Sequence, residues 1–479
     1  MPWTLDDIVT ATGGERLYGN PAQTFCGISI DSRTIAAGEL FVAIRGEVHD
    51  GHRFISEVIA RGAAALLIEH RERSAMPPDL SASGRAACVA VADTTRALGD
   101  LAAFHRKRMP ARVVAITGSN GKTSTRRMTA AVVVRRFRTL EADKNLNNQI
   151  GLPLTLFRLA PEHEWAVVEL GTNQPGEIAR LAEIATPDIG LITNIGPAHL
   201  EGLGSIEGVF AEKSALLRGL SPGGRAVLNA DDPRLRGLLA AMGAAAIGFG
   251  LAPEAAVRAA GVRHTAAGID FELILPAGAT AVHLAAHGRF MVANALAAAA
   301  VGVLLGLPAA EIAAGLACFT PVAGRLDVSA PGAGIGLIDD TYNANPASLE
   351  GALEVLANLR EGRRAFLALA DMRELGSGAA AMHREMGRLA AAARVDRLFV
   401  CGQFSAEVAA AAVAAGMPAA AVTAGTRAEI QTALLAELTP GDWVLVKGSR
   451  AMGMEHVVRG IRQWAADRAH GRNDHPLRR

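Results

Sequence analysis

The feature that most constrains the fold is a series of short apolar runs, each followed by a polar loop and a helical pattern. Three of them, RVVAITG, EWAVVELG and DIGLITNIG, lie in the middle of the chain, and three more, GIGLIDD, RAFLALAD and DWVLVKG, lie in the last third. Because buried strands that alternate with helices form parallel sheets covered on both faces, we predict an α/β protein with two doubly wound sheets. Ligands bind beyond the carboxyl ends of such strands, so two ligands are expected to meet between two domains.

Breaks in this pattern predict three domains in the 479-residue chain. Residues 1–108 carry short strands and turns and end in the helical segment TTRALGDLAAFHRKRM, after which Pro110 marks a boundary. Residues 109–322 hold the first sheet, and the string CFTPVAGR closes this region. Residues 323–479 hold the second sheet and a polar tail.

Composition excludes several classes of protein. The 48 lysine and arginine residues are balanced by 47 aspartate and glutamate residues, which argues against a general nucleic-acid binder. No window reaches the roughly 18 consecutive apolar residues of a membrane span, and the N-terminal MPWTLDD is acidic where a signal peptide is basic. The four cysteines lie far apart without metal-binding spacing. We therefore expect reduced thiols and a cytoplasmic protein.

The segment AITGSNGKTSTRRM, residues 115–128, places a glycine-rich loop between a strand and a helix. It departs from the usual P-loop pattern G-x-x-x-x-G-K-[ST], because Ile116 stands where the first glycine belongs. Loop N–H groups and a helix N-terminus suit phosphate, with Lys122 for the β- and γ-phosphates and the Thr123 hydroxyl for Mg²⁺. We interpret the segment as a nucleotide site rather than a chance glycine turn. The predicted loop residues are Gly118, Ser119, Asn120, Gly121, Lys122, Thr123 and Ser124.

Lysine is rare in this chain, with five lysines among the 48 basic residues. Where arginine supplies generic positive charge, a remaining lysine is a candidate for chemistry that needs a compact or deprotonated amine. Lys213 lies in the apolar helical segment GVFAEKSALL, where burial would lower its pKa. The alternative is a lysine whose stem packs on the helix while its amine reaches solvent.

Other polar candidates follow the predicted strands. Glu169 ends WAVVELG, where a carboxylate beside the P-loop strand suits Mg²⁺ or caps the next helix. His199 follows the next strand, although a lone histidine is more often structural. Arg325, at the domain break, is placed to reach a phosphate from the opposite wall. The asparagines of NLNNQIG either cap a helix or bind an amide-rich substrate. The loops IDDTYNANPAS, ADMRELG and VKGSRAMGME end the strands of the last third.

Together these motifs resemble the Mur ligases, ATP-dependent amide-forming enzymes of peptidoglycan precursor synthesis, over nearly the whole chain. TGSNGKT matches the family's shorter loop T-G-x-N-G-K-T, so Ile116 is a family variant rather than a defect. SIDSRTIAAGELFVAIRGEVHDGHRF is similar to the family's UDP-sugar-binding region. YNANP and KGSR resemble the members that join D-alanyl-D-alanine to a UDP-MurNAc-tripeptide, and the Asp-Asn-Pro-Arg motif of the tripeptide-forming members is absent.

The resemblance implies an N-terminal UDP-substrate domain, a central P-loop ATPase-like domain and a C-terminal Rossmann-like domain. It implies ATP, two Mg²⁺ ions and a carbamylated Lys213, in a bacterial cytoplasmic monomer. The implied catalytic residues are Lys122, Glu169, His199, Lys213 and Arg325; the metal ligands are Thr123, Glu169, His199 and Lys213; Asn294 and Arg325 lie near ADP. The implied substrate-binding residues are Ser29, Asp31, Ser32, Arg33, Asn145, Asn147, Asn148, Asp340, Asn343, Asn345 and Lys447.

Two positions depart from the family pattern. The family's G-x-H-N adenine motif is replaced by Gly288, Arg289, Phe290 and Met291, which assigns adenine stacking to Phe290. Near Lys213, Ala215 stands where the family more often has glutamate. Two alternatives stay open at this point: another ligase of the superfamily, either tripeptide-forming or a folylpolyglutamate synthase, and a nucleotide-binding regulatory protein without ligase activity.

Overall fold

The computed structural model describes residues 3–46, 48–75, 86–143 and 146–469, and Asn145 lies outside these ranges. Within them the chain forms four sheets, of which three are large. No helix of the described part is long and apolar enough to cross a membrane.

The N-terminal region carries a five-stranded sheet in the order β2-β7-β6-β5-β4 and a small β1-β3 pair. Its strands are β1 (Trp3–Thr4), β2 (Glu15–Tyr18), β3 (Thr24–Phe25), β4 (Ile28–Ser29), β5 (Leu40–Val42), β6 (Ala65–Glu69) and β7 (Ala87–Val91). Its helices are α1 (Leu5–Thr12), α2 (Ile55–Ala60) and α3 (Thr94–Arg108). Strands β4 to β7 pair in parallel, and β2 joins β7 antiparallel.

The central region is built on a nine-stranded sheet in the order β16-β15-β14-β13-β12-β11-β8-β10-β9. Its strands are β8 (Arg112–Thr117), β9 (Thr139–Glu141), β10 (Trp165–Glu169), β11 (Ile189–Ile192), β12 (Arg225–Asn229), β13 (Ala246–Gly250), β14 (Val257–Thr265), β15 (Gly268–Leu275) and β16 (Gly278–Leu284). Its helices are α4 (Lys122–Val133), α5 (Gly151–Leu156), α6 (Glu177–Ala185), α7 (Leu200–Leu203), α8 (Ile206–Arg218), α9 (Pro233–Met242), α10 (Arg289–Leu304) and α11 (Ala309–Ala317).

Strand β8 lies in the middle of this sheet and is buried on both faces. Val114 and Ile116 pack into one apolar cluster, and Val113 and Ala115 pack into the cluster on the other face. Because both faces are covered, the strand reads as an unbroken apolar run. Strands β10 and β11 flank β8 in parallel, so the three strands end at the same edge of the sheet.

The C-terminal region is a six-stranded sheet in the order β17-β18-β22-β19-β20-β21. Its strands are β17 (Asp327–Gly332), β18 (Ile335–Asp340), β19 (Ala365–Ala370), β20 (Arg397–Cys401), β21 (Val422–Gly425) and β22 (Trp443–Lys447). Its helices are α12 (Pro346–Arg360), α13 (Ala379–Ala392), α14 (Ser405–Ala414), α15 (Arg427–Glu437) and α16 (Glu455–Ala469). Only the β17–β18 pair is antiparallel among the pairs of this sheet within the described residues.

The two predicted α/β sheets are thus present, and the six apolar runs form β8, β10, β11, β18, β19 and β22. The three-domain α/β fold class is confirmed. Helix α3 ends at Arg108 and β8 begins at Arg112, while α11 ends at Ala317 and β17 begins at Asp327. The boundaries 1–108, 109–322 and 323–479 remain a proposal.

Candidate active site

A cavity of about 880 Å³ lies between the central and C-terminal sheets. Loops after β8, β10 and β11 form one wall, and loops after β18, β19 and β22 form the other. Fifteen of the predicted site residues line it: Ser119, Asn120, Gly121, Lys122, Ser124, Asn147, Asn148, Glu169, His199, Asn294, Arg325, Asp340, Asn343, Asn345 and Lys447. Strand ends that are far apart in sequence therefore meet in one cleft, as the parallel-sheet pattern predicts.

The glycine-rich loop is fixed by the segment that follows β11. Thr193 Oγ1 donates to the Asn120 carbonyl across 2.6 Å, and the Asn120 amide donates to Asn194 Oδ1 across 3.0 Å. Gly118 has φ 147°, and a Cβ atom there would lie 1.8 Å from Thr193 Oγ1. Only glycine fits so close an approach, so the loop shape is set before any ligand arrives.

Lys122 begins helix α4 and turns its amine back over the loop. Nζ donates to the carbonyls of Gly118 and Ser119 across 2.8 and 3.3 Å. Burial lowers the pKa of this amine, the Glu169 carboxylate opposes that effect, and Arg325 lowers the pKa further. Two cations from different sheets therefore act on the same point, which suits a polyanionic phosphate chain.

Glu169 ends β10 beneath the loop and is 2% exposed. Its Oε2 accepts a hydrogen bond of 2.8 Å from Thr123 Oγ1, and its Oε1 accepts one of 2.8 Å from Asn147 Nδ2. The hydroxyl and the carboxylate form an oxygen donor set of the kind that Mg²⁺ prefers. Within the described residues no group of three or more histidine, cysteine, aspartate or glutamate side chains forms a metal cage.

His199 directly precedes α7 and has a left-handed backbone, with φ 54°. Its Nδ1 is hydrogen bonded to the carboxylate of Glu374, which belongs to the loop after β19 in the other sheet. This bond holds the pKa of Glu374 below its usual value. The histidine is therefore held across the domain interface rather than by its own domain alone.

Lys213 lies on α8 and is 1% exposed, which excludes the alternative of an amine that reaches solvent. Burial holds its pKa well below the usual value, and the charge of Lys122 lowers it further. The neighbouring Glu212 is occupied elsewhere, because it accepts hydrogen bonds of 2.7 Å from the amides of Gly176 and Ile178. The charge of the Glu212 carboxylate opposes this lowering of the Lys213 pKa.

The C-terminal wall holds Lys447, 1% exposed, at the end of β22. Its Nζ donates to the Asp340 carboxylate and, across 3.0 Å, to the Asn343 carbonyl. Arg325 packs over Tyr342, with its Cζ atom 4.0 Å from the ring centroid. The Asn345 amide donates across 2.7 Å to Asn120 Oδ1 of the glycine-rich loop. The two walls are thus in direct contact.

Some predicted residues lie away from the cavity surface. Gly118, Thr123 and Lys213 are beneath it. The four predicted residues of the N-terminal sheet, Ser29, Asp31, Ser32 and Arg33, lie at and after β4 and do not line this cavity. There Arg33 donates from Nε and Nη2 to Asp31 across 2.9 and 2.7 Å, and this bond lowers the pKa of Asp31 to about 2.

Three residues with clear contacts at the site were not among the predicted site residues. Thr193 and Asn194 hold the glycine-rich loop, and Glu374 binds His199. A weak signal existed for each, because all three follow predicted strands, in TNIG and ADMRELG. Which polar residue of such a loop points inward depends on the packing of the second sheet, and the sequence pattern does not carry that information.

The fold and the site define an α/β protein with a phosphate-type loop in a cleft between two sheets, and comparison with known proteins identifies its family. Three models of one family match the chain: "Mur ligase family, catalytic domain" over residues 24–106, "Mur ligase middle domain" over 116–302 and "Mur ligase, glutamate ligase domain" over 324–450. Together they span all three regions. The chain belongs to the Mur ligase family.

Individual relatives agree with this assignment. The chain is 39% identical to the UDP-N-acetylmuramoyl-tripeptide–D-alanyl-D-alanine ligase of Escherichia coli, over 96% of this chain and 98% of that protein. The crystal structure of MurF from Acinetobacter baumannii superposes with a TM-score of 0.86 at 32% identity, covering 97% of this chain and 99% of the other. MurF ligase from Thermotoga maritima, solved in complex with ADP, superposes with a TM-score of 0.81 at 26% identity, covering 92% and 98%.

Proposed function

We propose that this protein joins D-alanyl-D-alanine to a UDP-MurNAc-tripeptide at the expense of ATP and so forms the pentapeptide precursor of peptidoglycan. The observation that carries the proposal is the shared cavity, in which the phosphate-type loop touches the C-terminal wall through Asn120 and Asn345. The activity named for the relatives supports the same substrates. A single cleft between two sheets suits a reaction in which one domain activates a carboxylate and the other delivers an amine.

In the first step, a carboxylate oxygen of the tripeptide attacks the γ-phosphorus of ATP, an acyl phosphate forms and ADP leaves. Both reactants are anionic, so their approach must be stabilised by fixed positive charge. Lys122, the loop amides and Arg325 supply that charge in the proposal, and Asn294, which lines the same cavity, is proposed to lie near the nucleotide. A Cβ atom on Gly121 would lie 2.3 Å from Asn294 Oδ1, which shows how closely helix α10 packs against the loop.

In the second step, the amine of D-alanyl-D-alanine attacks the acyl carbon, phosphate leaves with the electrons of the broken C–O bond, and the nitrogen loses a proton. The polar residues of the C-terminal wall, Asp340, Asn343, Asn345 and Lys447, would orient the dipeptide. Closure of the two walls excludes water, which would otherwise hydrolyse the acyl phosphate.

Two Mg²⁺ ions belong to the proposal. Thr123 and Glu169 would hold one and His199 the other. When bound, Mg²⁺ reduces the repulsion between the phosphate oxygens and the substrate carboxylate. The oxygen donors of Thr123 and Glu169, already adjacent at 2.8 Å, are the observation that supports this assignment.

Lys213 is proposed to carry a carbamate, formed when the neutral amine attacks CO₂ and loses one proton. Only an uncharged amine can react in this way, and burial favours that form of Lys213. Guanidinium does not react similarly, which gives a physical reason for lysine at this position in an arginine-rich chain. Incorporation of ¹³C-labelled CO₂, detected by NMR, tests the assignment. Absence of signal in the wild type, together with full activity of Lys213→Ala, would contradict it.

The N-terminal sheet is proposed to bind the UDP moiety through Ser29, Asp31, Ser32 and Arg33, with Asn145, Asn147 and Asn148 towards the peptide. The relatives are bacterial proteins, and we propose that this protein also acts in a bacterial cytoplasm, as a monomer. Size-exclusion chromatography with light scattering measures the molar mass in solution and so tests the proposed monomeric state.

A substrate panel tests the function. Phosphate release is expected with ATP, a UDP-MurNAc-tripeptide and D-alanyl-D-alanine, and not when the dipeptide is replaced by a single amino acid or by glutamate. The tripeptides that end in meso-diaminopimelate and in lysine should both be assayed. Lys122→Ala is the control and should abolish turnover. Turnover with glutamate alone would favour a folylpolyglutamate synthase, and binding of ATP without turnover would favour a regulatory protein.

A further inference from the structure

The short helical turn that carries His199 is held between two loops from different sheets. On one side lies the loop after β10, because a Cβ atom on Gly202 would come within 1.9 Å of the Asn173 carbonyl oxygen. On the other side lies the loop after β19, because the Glu201 amide donates across 3.2 Å to the Glu374 carbonyl. The position of His199 relative to the end of β10, which carries Glu169, is therefore set partly by the C-terminal domain.

Both members of the histidine–glutamate pair have an unusual backbone. His199 has φ 54° and Glu374 has φ 64°, a region that residues with a Cβ rarely adopt. Such conformations persist where the surrounding structure fixes them, and they are concentrated at functional positions. The next single-turn helix, Gly376–Gly378, packs against α7, and a Cβ atom on Gly376 would lie 3.5 Å from Glu201 Cα.

The side-chain bond also fixes the chemistry of the imidazole. A carboxylate only accepts hydrogen bonds, so the Nδ1–H of His199 donates to Glu374, and in the neutral imidazole the lone pair is then on Nε2. A carboxylate that orients a histidine in this way sets both the tautomer and the direction of the ring. Glu374 itself lines the cavity, next to the histidine that it holds.

We propose that Glu374 is a positioning residue that couples docking of the C-terminal domain to the correct placement of His199. The inference rests on the proposed function, since it assigns His199 a role at the reacting phosphate. When the domains separate, His199 loses both its carboxylate partner and the backbone bond at Glu201, so the phosphate-handling site is complete only in the docked arrangement. ATP is then activated only when the amine-delivering wall is in place.

The test compares Glu374→Ala, Glu374→Gly and a matched control, Glu361→Gln. Glycine adopts the left-handed backbone without strain. The Glu374→Gly variant therefore removes the carboxylate and also relieves the backbone strain at this position. Glu361 is also a left-handed glutamate of the same domain, with φ 47°, but its exposed side chain pairs with Arg363 across 3.2 Å at the end of α12. Each variant is assayed as the full chain for kcat/KM with the dipeptide and for nucleotide affinity.

A second measurement does not depend on turnover. Amide hydrogen exchange is followed in the peptide 199–204, with helix α8 as the internal reference, in the presence of a non-hydrolysable ATP analogue. Both Glu374 variants are expected to raise exchange in 199–204 and to lower kcat/KM by about 10- to 100-fold, with nucleotide affinity unchanged and the Glu361 control like the wild type.

Unchanged exchange in 199–204 would overturn the inference, as would Glu374→Gly with wild-type kcat/KM. If the wild type shows no ligase turnover, the proposed function fails, and the exchange measurement alone still decides whether Glu374 docks the turn of His199.

Discussion

The amide of Asn345 donates across 2.7 Å to the side-chain oxygen of Asn120, and so joins the first residue before helix α12 to the glycine-rich loop of the other sheet. The same side chain also caps α12, because its Oδ1 accepts a hydrogen bond of 2.9 Å from the Ser348 amide. One asparagine therefore serves local folding with its oxygen and domain contact with its nitrogen. These two roles can be separated by substitution.

Asn345→Asp keeps the capping oxygen and removes the donor to Asn120. We expect a nearly unchanged melting temperature, because asparagine and aspartate cap equally well, and a rise in KM for the dipeptide of about 2- to 12-fold, the equivalent of one hydrogen bond worth roughly 0.5–1.5 kcal/mol. Asn345→Ala removes both bonds and should also cost about 1 kcal/mol of folding stability. Calorimetry and steady-state kinetics measure the two effects. An unchanged KM in the aspartate variant would show that the bridge has no functional role.

Phe290 is expected to support the adenine base. The residue is 37% exposed and lines the cavity, and its ring lies beside helix α12, where a Cβ atom on Gly351 would come within 3.0 Å of it. Stacking of a base on an aromatic ring is worth about 1–3 kcal/mol, so Phe290→Ala should raise the KM for ATP about fivefold or more. Val413→Ala, at an apolar residue 39% exposed on helix α14, is the control. If the two variants had the same KM for ATP, adenine would not stack on Phe290.

Glu169→Gln should raise the Mg²⁺ concentration needed for half-maximal activity by about tenfold or more, because it removes the charge of a metal-binding carboxylate. The exposed Glu164→Gln, just before the other end of the same strand, serves as the control. The Glu164 carboxylate pairs with the Arg138 side chain across 3.8 Å and accepts a hydrogen bond of 3.0 Å from the Arg138 amide, away from the site. Titration of the activity with Mg²⁺ after treatment with EDTA gives the Mg²⁺ concentration for half-maximal activity of each variant. If both variants showed the same Mg²⁺ dependence, Glu169 would not be a ligand of Mg²⁺.

The four cysteines should differ sharply in reactivity. Burial raises the pKa of Cys88 to about 12 and that of Cys401 to about 11, whereas Cys26 and Cys318 are exposed. The thiolate is the reactive form, and a raised pKa means that it forms only at a higher pH. At pH 8, alkylation followed by mass spectrometry should label Cys26 and Cys318 in the native protein and the other two only after unfolding. Rapid native labelling of Cys88 would contradict the buried β7.

Strands buried on both faces were predictable, because β8, β10 and β11 carry apolar residues at almost every position. The antiparallel strands β14 to β16 were not predicted. In β14 (Val257–Thr265) most side chains are partly or fully exposed, and its alanines and glycine give no clear period. Its place is determined by pairing with β13 and β15 rather than by its own composition.

For the site, residues with a chemical signature were predicted more readily than residues with a positional role. Lys213 stood out because lysine is rare and its neighbours are apolar, and it is almost completely buried. Glu374 carried no such signature, since its partner His199 lies 175 residues away in sequence. Only the relative placement of two sheets brings them together, and hydrophobic periodicity within each sheet does not encode that placement.

The cavity is shared by two sheets that contribute through different loops. The residues proposed to bind phosphate lie mostly at or after the ends of β8, β10 and β11, and those expected to hold the incoming amine lie at or after the ends of β18 and β22. Pairs such as Asn120 with Asn345 and His199 with Glu374 join the two walls. We therefore expect that exchanging the loops after β18 and β22 would change the amine preference, while the loops proposed to bind ATP and the β19 loop with Glu374 keep their sequence. A ligase built in this way is modular. Any exchange of loops must keep the residues that join the two walls.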